Sequence, residues 1–131
     1  VMQGITGVNE KHRIKDSIME RLQFCGHSCN YLLLDNKSIE KEYVILGLLN
    51  SKLYNWTFKK TSTNSNVNSY EIEGLPYIAN IDYADFTKKV EKIISEKAAG
   101  KDTGKLESDL DKMIYKLYKL TAEEIAIVEN S

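Results

Sequence analysis

The sequence predicts an α+β fold: a short mixed β-sheet braced by a buried central helix, with a C-terminal helical hairpin. Three observations predict it. Apolar residues recur in short runs near the start, wrap most of a helix circumference over residues 39–58, and form two stripes at helical spacing beyond Asp82. With 131 residues, 42% of them hydrophobic and 28% charged, the chain fits one globular domain whose core needs neither metal nor disulfide.

The first strands are expected around Met2, Ile5 and Val8, then over residues 14–18 and 29–34, with the polar stretch 9–13 as a loop between the first two. Residues 35–38 close the third strand, with Ser38 as N-cap of the next helix and Glu40 in its first turn. That helix, residues 39–58, carries Gly47 in its middle, which predicts close approach of another backbone. Residues 59–69 read as an exposed polar loop, and Tyr70-Glu71-Ile72-Glu73 alternates like a strand ended by Gly74 and Pro76. Tyr83, Phe86, Val90, Ile93 and Ile94 define a helix stopped at Ala99 and Gly100. Leu106, Leu110, Met113, Ile114 and Leu117 define a second, and Thr121 to Glu124 has the form of a capping box before Ile125 and Val128. The organisation expected is an α/β core over residues 1–81 and a helical subdomain over 82–131. Because Val1 and Met2 already read as strand, the chain is expected to be a segment of a longer protein.

Eighteen Lys and Arg against 19 Asp and Glu give a net charge of −1, so no global cationic field draws in polyanions and a partner must be recognised locally. Two cysteines do not make a disulfide framework, and reduced thiols in the cytoplasm are expected. The longest apolar runs fall far short of the roughly 20 residues of a membrane span.

The chemistry-bearing patterns are sparse. Cys25, His27 and Cys29, with His12, suggest zinc, but the C-x3-C spacing lacks a knuckle turn and a second pair. Asp16 with Asp35-Asn36-Lys37 has the form of a metal-dependent nuclease site, and equally that of a turn before a helix. His12 and His27 near Ser17 and Ser28 do not make a triad, which geometry alone defines. The glycines never approach a phosphate-binding loop. What remains is polar recognition. Lys59 and Lys60 precede Thr61, Thr63, Asn64, Asn66 and Asn68, while Lys11, His12 and Arg13 form a second basic group. Cations suit phosphates, and Asn or Thr suits base edges. The same Asn and Thr side chains equally suit pinning the loop to the sheet.

Several segments in order resemble a known family. Met2-Gln3-Gly4-Ile5-Thr6-Gly7, His12-Arg13-Ile14 and Cys25-Gly26-His27-Ser28-Cys29-Asn30-Tyr31-Leu32 resemble the start of the TaqI-like specificity domain of type IIG and related type IIS restriction enzymes. Gly47-Leu48-Leu49-Asn50-Ser51-Lys52-Leu53, Trp56-Thr57-Phe58, Thr61-Ser62-Thr63-Asn64 and Glu71-Ile72-Glu73-Gly74-Leu75-Pro76 are similar to its central helix, polar loop and following strand. The tail from Leu110 to Thr121 is similar to its ending, with Lys119 where the family commonly has Gly. The resemblance implies a target-recognition domain that binds double-stranded DNA and performs no chemistry itself. It also implies methyltransferase and nuclease domains upstream in the same chain, and S-adenosylmethionine and Mg²⁺ for the parent enzyme but no cofactor in this segment. Lys11, His12, Arg13, Lys59 and Lys60 would then contact phosphates, and Thr61, Thr63, Asn64, Asn66 and Asn68 would be the candidates for reading bases. Two other classes compete: a protein-interaction module docking a methyltransferase or nuclease subunit through an exposed stripe of Leu106, Leu110, Met113 and Leu117, and a small metal-dependent nuclease.

Overall fold

The computed structural model describes residues 1–19, 23–34 and 39–131, so Ser38 and residues 35–37 lie outside the described residues. Among those described, the chain is mostly helical with a small antiparallel sheet. The order is β1 (Met2–Gln3), β2 (Cys29–Asn30), α1 (Ile39–Leu49), α2 (Lys52–Thr61), α3 (Ser69–Glu73), α4 (Tyr83–Ala98), α5 (Gly104–Leu117) and α6 (Ala122–Glu129).

The sheet is antiparallel where a mixed one was expected. Met2 lies opposite Asn30 and Gln3 opposite Cys29. Single bridges extend the layer, Met2 facing Asp16 and Ile5 facing Asn66. The Gln3 N–H donates to the Lys15 carbonyl at 3.1 Å, Thr6 N–H to Ser65 at 2.8 Å and Val67 N–H to Gly4 at 2.8 Å. The opening segment is therefore the middle of the layer. The polar loop is not free: it supplies one edge. The strand expected to reach Leu34 leaves the sheet after Asn30, and Tyr31 and Leu33 are 64% and 83% exposed.

The single helix expected over residues 39–58 is two helices meeting at Asn50 and Ser51. Ser51 has extended backbone, φ −70° and ψ 155°, and its hydroxyl accepts from Tyr54 N–H as an N-cap. The same oxygen donates to the Leu48 carbonyl at 2.6 Å. Apolar residues on both sides of the corner hid the break, because the core collects side chains from α1 and α2 alike. Gly47 does mark a close approach, but to side chains: a Cβ there would stand 2.6 Å from Phe86 Cε1 and 2.9 Å from Val90 Cγ2. That absence of a side chain lets α4 lie against α1.

The strand expected at residues 70–73 is the short helix α3. Asn68 precedes it, and the Glu71 carboxylate accepts from the Asn68 backbone N–H at 3.0 Å and from its amide at 2.9 Å. Four alternating residues fit one helical turn as well as a strand, and this cap decides between them. Ile72 is buried and Tyr70 exposed, as either geometry allows.

The tail follows the expected periodicity in α4, α5 and α6. α4 packs chiefly on α1, and α5 packs on both α4 and α2. Val44, Phe58, Phe86 and Ile114 are fully buried in one shared core. Leu110 is buried too, and Leu106, Met113 and Leu117 pack against this core. The interaction-module reading expected those four exposed; Leu110 is buried and Leu106, Met113 and Leu117 are half-buried. Among the described residues no helix is long and apolar enough to cross a membrane.

Candidate nucleic-acid interface

Arg13 corrects one expectation. The residue, expected at phosphates, is only 1% exposed. Nε donates to Thr6 Oγ1 at 2.8 Å, Nη2 donates to the Asn64 carbonyl at 2.7 Å, and the group lies 5.2 Å from the Phe58 ring centroid. Arg13 thus ties the polar loop to the sheet and to α2. Burial of a charge with this many partners makes it a structural tie, unavailable to an incoming anion.

The cations that remain accessible converge on one side of α2. Lys52, Trp56 and Lys59 follow one another by a turn, and with Lys11, His12 and Glu129 they line a narrow cleft. Lys52 pairs with Glu129 at 2.5 Å. Lys11, Lys59 and Lys60 form no ion pair among the described residues. Lys60 lies 5.4 Å from the Trp56 ring centroid, a cation–π contact that leaves the ammonium in solvent. Two lysines in the last turn of α2 also suit the negative end of the helix dipole. His12 is half-buried. Burial, then the neighbouring Lys11, with Lys52 and Lys59 adding and Glu107 opposing, holds its imidazole below its ordinary pKa and therefore neutral near pH 7.

The loop candidates divide by what already holds them. Thr61 donates its hydroxyl to the Phe58 carbonyl at 3.2 Å, a bond within its own helix. Asn68 is committed to Glu71 at the start of α3. Asn64 accepts the Asn66 N–H at 2.8 Å on Oδ1, shaping the turn and leaving its amide nitrogen outward. Thr63 and Asn66 are exposed, and their side chains make no hydrogen bond among the described residues. Backbone bonds and Arg13 fix this edge, so Thr63, Asn64 and Asn66 present polar groups from a held main chain just beyond Lys59 and Lys60.

A larger cavity of about 600 Å³ lies between residues 12–18, the end of α1, α4 and the start of α5, with Ile14, Leu46, Val90 and Ile93 among its walls. Asp111 opens onto it. Its carboxyl is pushed up to about 6 by burial, with Glu129 and Glu107 adding, although it accepts the Lys52 N–H at 3.0 Å.

The zinc pattern gathers no ligand cluster among the described residues, and the nuclease pattern falls partly outside them. Cys25 and Cys29 are free thiols, and Cys25 Sγ lies 3.3 Å from Met19 Sδ. Among the described residues, no group of three or more His, Cys, Asp or Glu is placed to hold a metal. Asp35 and Lys37 lie outside those residues. Asp16 has its backbone held by the Asn50 amide and its carboxyl raised by burial.

Lys52, Trp56 and Glu129 were missed in the sequence. The spacing Lys52-x3-Trp56-x2-Lys59 placed the first two on the stripe of Lys59, once α2 is known to start at Lys52. Nothing local marks Glu129, which meets Lys52 across 77 positions of chain. Compared with protein-family profiles, curated proteins and solved structures, the chain finds no match.

Proposed function

We propose that this chain reads duplex DNA as the target-recognition part of a restriction-modification enzyme and leaves the chemistry to other domains. The observation that carries the reading is the strip running from Lys11 along Lys59 and Lys60 to Thr63, Asn64 and Asn66: cations without an ion pair among the described residues, beside exposed donors and acceptors on a held backbone edge. The ordered motifs shared with TaqI-like specificity domains support the same conclusion. Lys11, Lys59 and Lys60 take phosphates and set register, which carries no sequence information. Thr63, Asn64 and Asn66 meet base edges, where an Asn amide can pair bidentately with adenine. Arg13 and Asn68 act one step back, holding the loop.

Fluorescence anisotropy of a labelled duplex tests this. Three phosphate contacts give a log K against log salt slope of about −3, with a dissociation constant of about 10⁻⁴ to 10⁻⁶ M near physiological salt. Joint Lys59→Ala and Lys60→Ala replacement should bring the slope to about −1, whereas Lys88→Ala with Lys92→Ala on the exposed side of α4 should leave it unchanged. Asn66→Ala should alter preference among duplexes at constant slope. No association at low salt, or a slope indifferent to Lys59 and Lys60, sinks the proposal.

A further inference from the structure

The cleft between α2, α6 and the segment bearing Lys11 and His12 holds about 10 Å³ of space, room for one water molecule. Among the described residues that line it, Lys11, Lys52 and Lys59 bring ammonium groups and Glu129 brings the one side-chain carboxylate, with Ser131 beside them. Glu129 Oε2 meets Lys52 Nζ at 2.5 Å, and Oε1 accepts the Tyr115 hydroxyl at 2.9 Å. Lys11 and Lys59 have no acidic partner among the described residues. Trp56 is among the lining side chains, and its indole Nε1 is buried without a hydrogen-bond acceptor among the described residues. A buried donor lacking an acceptor is unfavourable, and an oxyanion with several oxygens would satisfy it together with the spare ammonium groups.

We propose that this cleft is an oxyanion site for a phosphate group, occupied in the free protein by Glu129, whose carboxylate must swing out when phosphate enters. The inference rests on the DNA reading only for the source of that phosphate. Displacement is feasible because the Lys52 and Glu129 side chains are 29% and 38% exposed, and so lightly held an ion pair contributes little. A phosphate offers more oxygens than the carboxylate it replaces and reaches Lys11, Lys59 and the indole as well as Lys52. Its negative charge also favours protonation of His12, so entry of the anion takes up a proton.

Trp56 is the only tryptophan of the chain, so its fluorescence reports on the cleft directly. Intact wild-type protein, Glu129→Gln and Tyr115→Phe are titrated with inorganic phosphate and, separately, with a duplex, after thermal melts establish that each variant is folded. Glu129→Gln should respond to phosphate at a concentration roughly tenfold lower than wild type, as one removed competing charge implies. It should bind duplex more tightly with a salt slope steeper by about one unit, because Lys52 is released. Tyr115→Phe, which frees the carboxylate from its tether, should move both readouts the same way, and adding Lys59→Ala to Glu129→Gln should abolish the phosphate response. Equal midpoints for wild type and Glu129→Gln, or fluorescence indifferent to phosphate in both, overturn the inference while leaving duplex binding to stand by itself. A phosphate response without any duplex binding upholds the site and removes the DNA reading instead.

Discussion

Lys119 is the one non-glycine residue with positive φ among those described, at 56°. Its place explains why. At the end of α5 the Leu120 N–H reaches the Tyr115 carbonyl at 3.0 Å and the Lys119 N–H reaches Lys116 at 3.1 Å, the two bonds of a Schellman motif. The end of α4 has the same pair, Lys101 N–H to Glu96 at 3.0 Å and Gly100 N–H to Lys97 at 2.9 Å, with Gly100 at φ 71°. One geometry is thus met once by glycine and once by lysine. A side chain in the left-handed region costs about 1 kcal/mol, of which glycine's greater freedom in the unfolded chain offsets part. Lys119→Gly should therefore stabilise by about 0.5 kcal/mol and raise Tm by about 2 °C in calorimetry. A lowered Tm would show that the lysine side chain contributes more than its backbone strain removes.

Asn50, between α1 and α2, and Asn55, one turn into α2, make a helix corner into the edge of a strand. Asn50 accepts the Asp16 N–H at 3.1 Å and donates to its carbonyl at 3.0 Å, pairing with that residue much as a neighbouring strand would. Asn55, only 2% exposed, accepts the Ile14 N–H at 2.8 Å and donates to Leu49 and Ser51 at 3.1 and 3.0 Å. The segment 14–16 is thereby held by β1 on one edge and by side-chain amides on the other. Asn55→Ala leaves the buried Ile14 N–H and the Leu49 carbonyl without their partner, while the Ser51 carbonyl keeps the backbone N–H of residue 55, so a loss of about 3 kcal/mol in urea unfolding is expected, against about 1 kcal/mol if water replaces the amide. This corner also shows what was legible in the sequence. α4, α5 and α6 are specified by stripes and caps within one segment, Thr121 with Glu124 and Gly100 after Ala99, and these local signals suffice. Asn50, Asn55 and Arg13 act across 34, 41 and 51 positions. Their partners are chosen by tertiary packing, so Arg13 read as a surface cation and residues 39–58 as one helix. In the candidate interface, Lys11, Lys59 and the Thr/Asn loop were legible as a cluster of types, while the division between outward and committed side chains was not.

Across the whole molecule, a half-buried histidine and a buried aspartate near the start of α2 act on stability with opposite sign. His12 is depressed below its ordinary value by burial and Lys11, so the unfolded chain holds a proton that the folded one lacks, and stability rises with pH up to about the ordinary histidine value of 6.5. Asp111 runs the other way. Its carboxyl goes from an ordinary 3.8 to about 6, so over that window the folded chain holds the extra proton and stability falls as pH rises. The negative charge at the start of α2, where Asp111 accepts the Lys52 N–H, works against this loss, but burial is the larger effect on the carboxyl. Asp111→Asn keeps an oxygen for that N–H and removes the buried charge. The difference between variant and wild type should be near zero at pH 4 and grow to about 1 kcal/mol in favour of the variant by pH 7.5, the full shift being reduced by solvent screening. Urea unfolding of both proteins at the two pH values measures it. A variant that instead loses stability with rising pH relative to wild type would mean that the carboxylate's attraction to Lys52 and the α2 dipole outweighs its desolvation, and that the ionised acid is a net support of the corner.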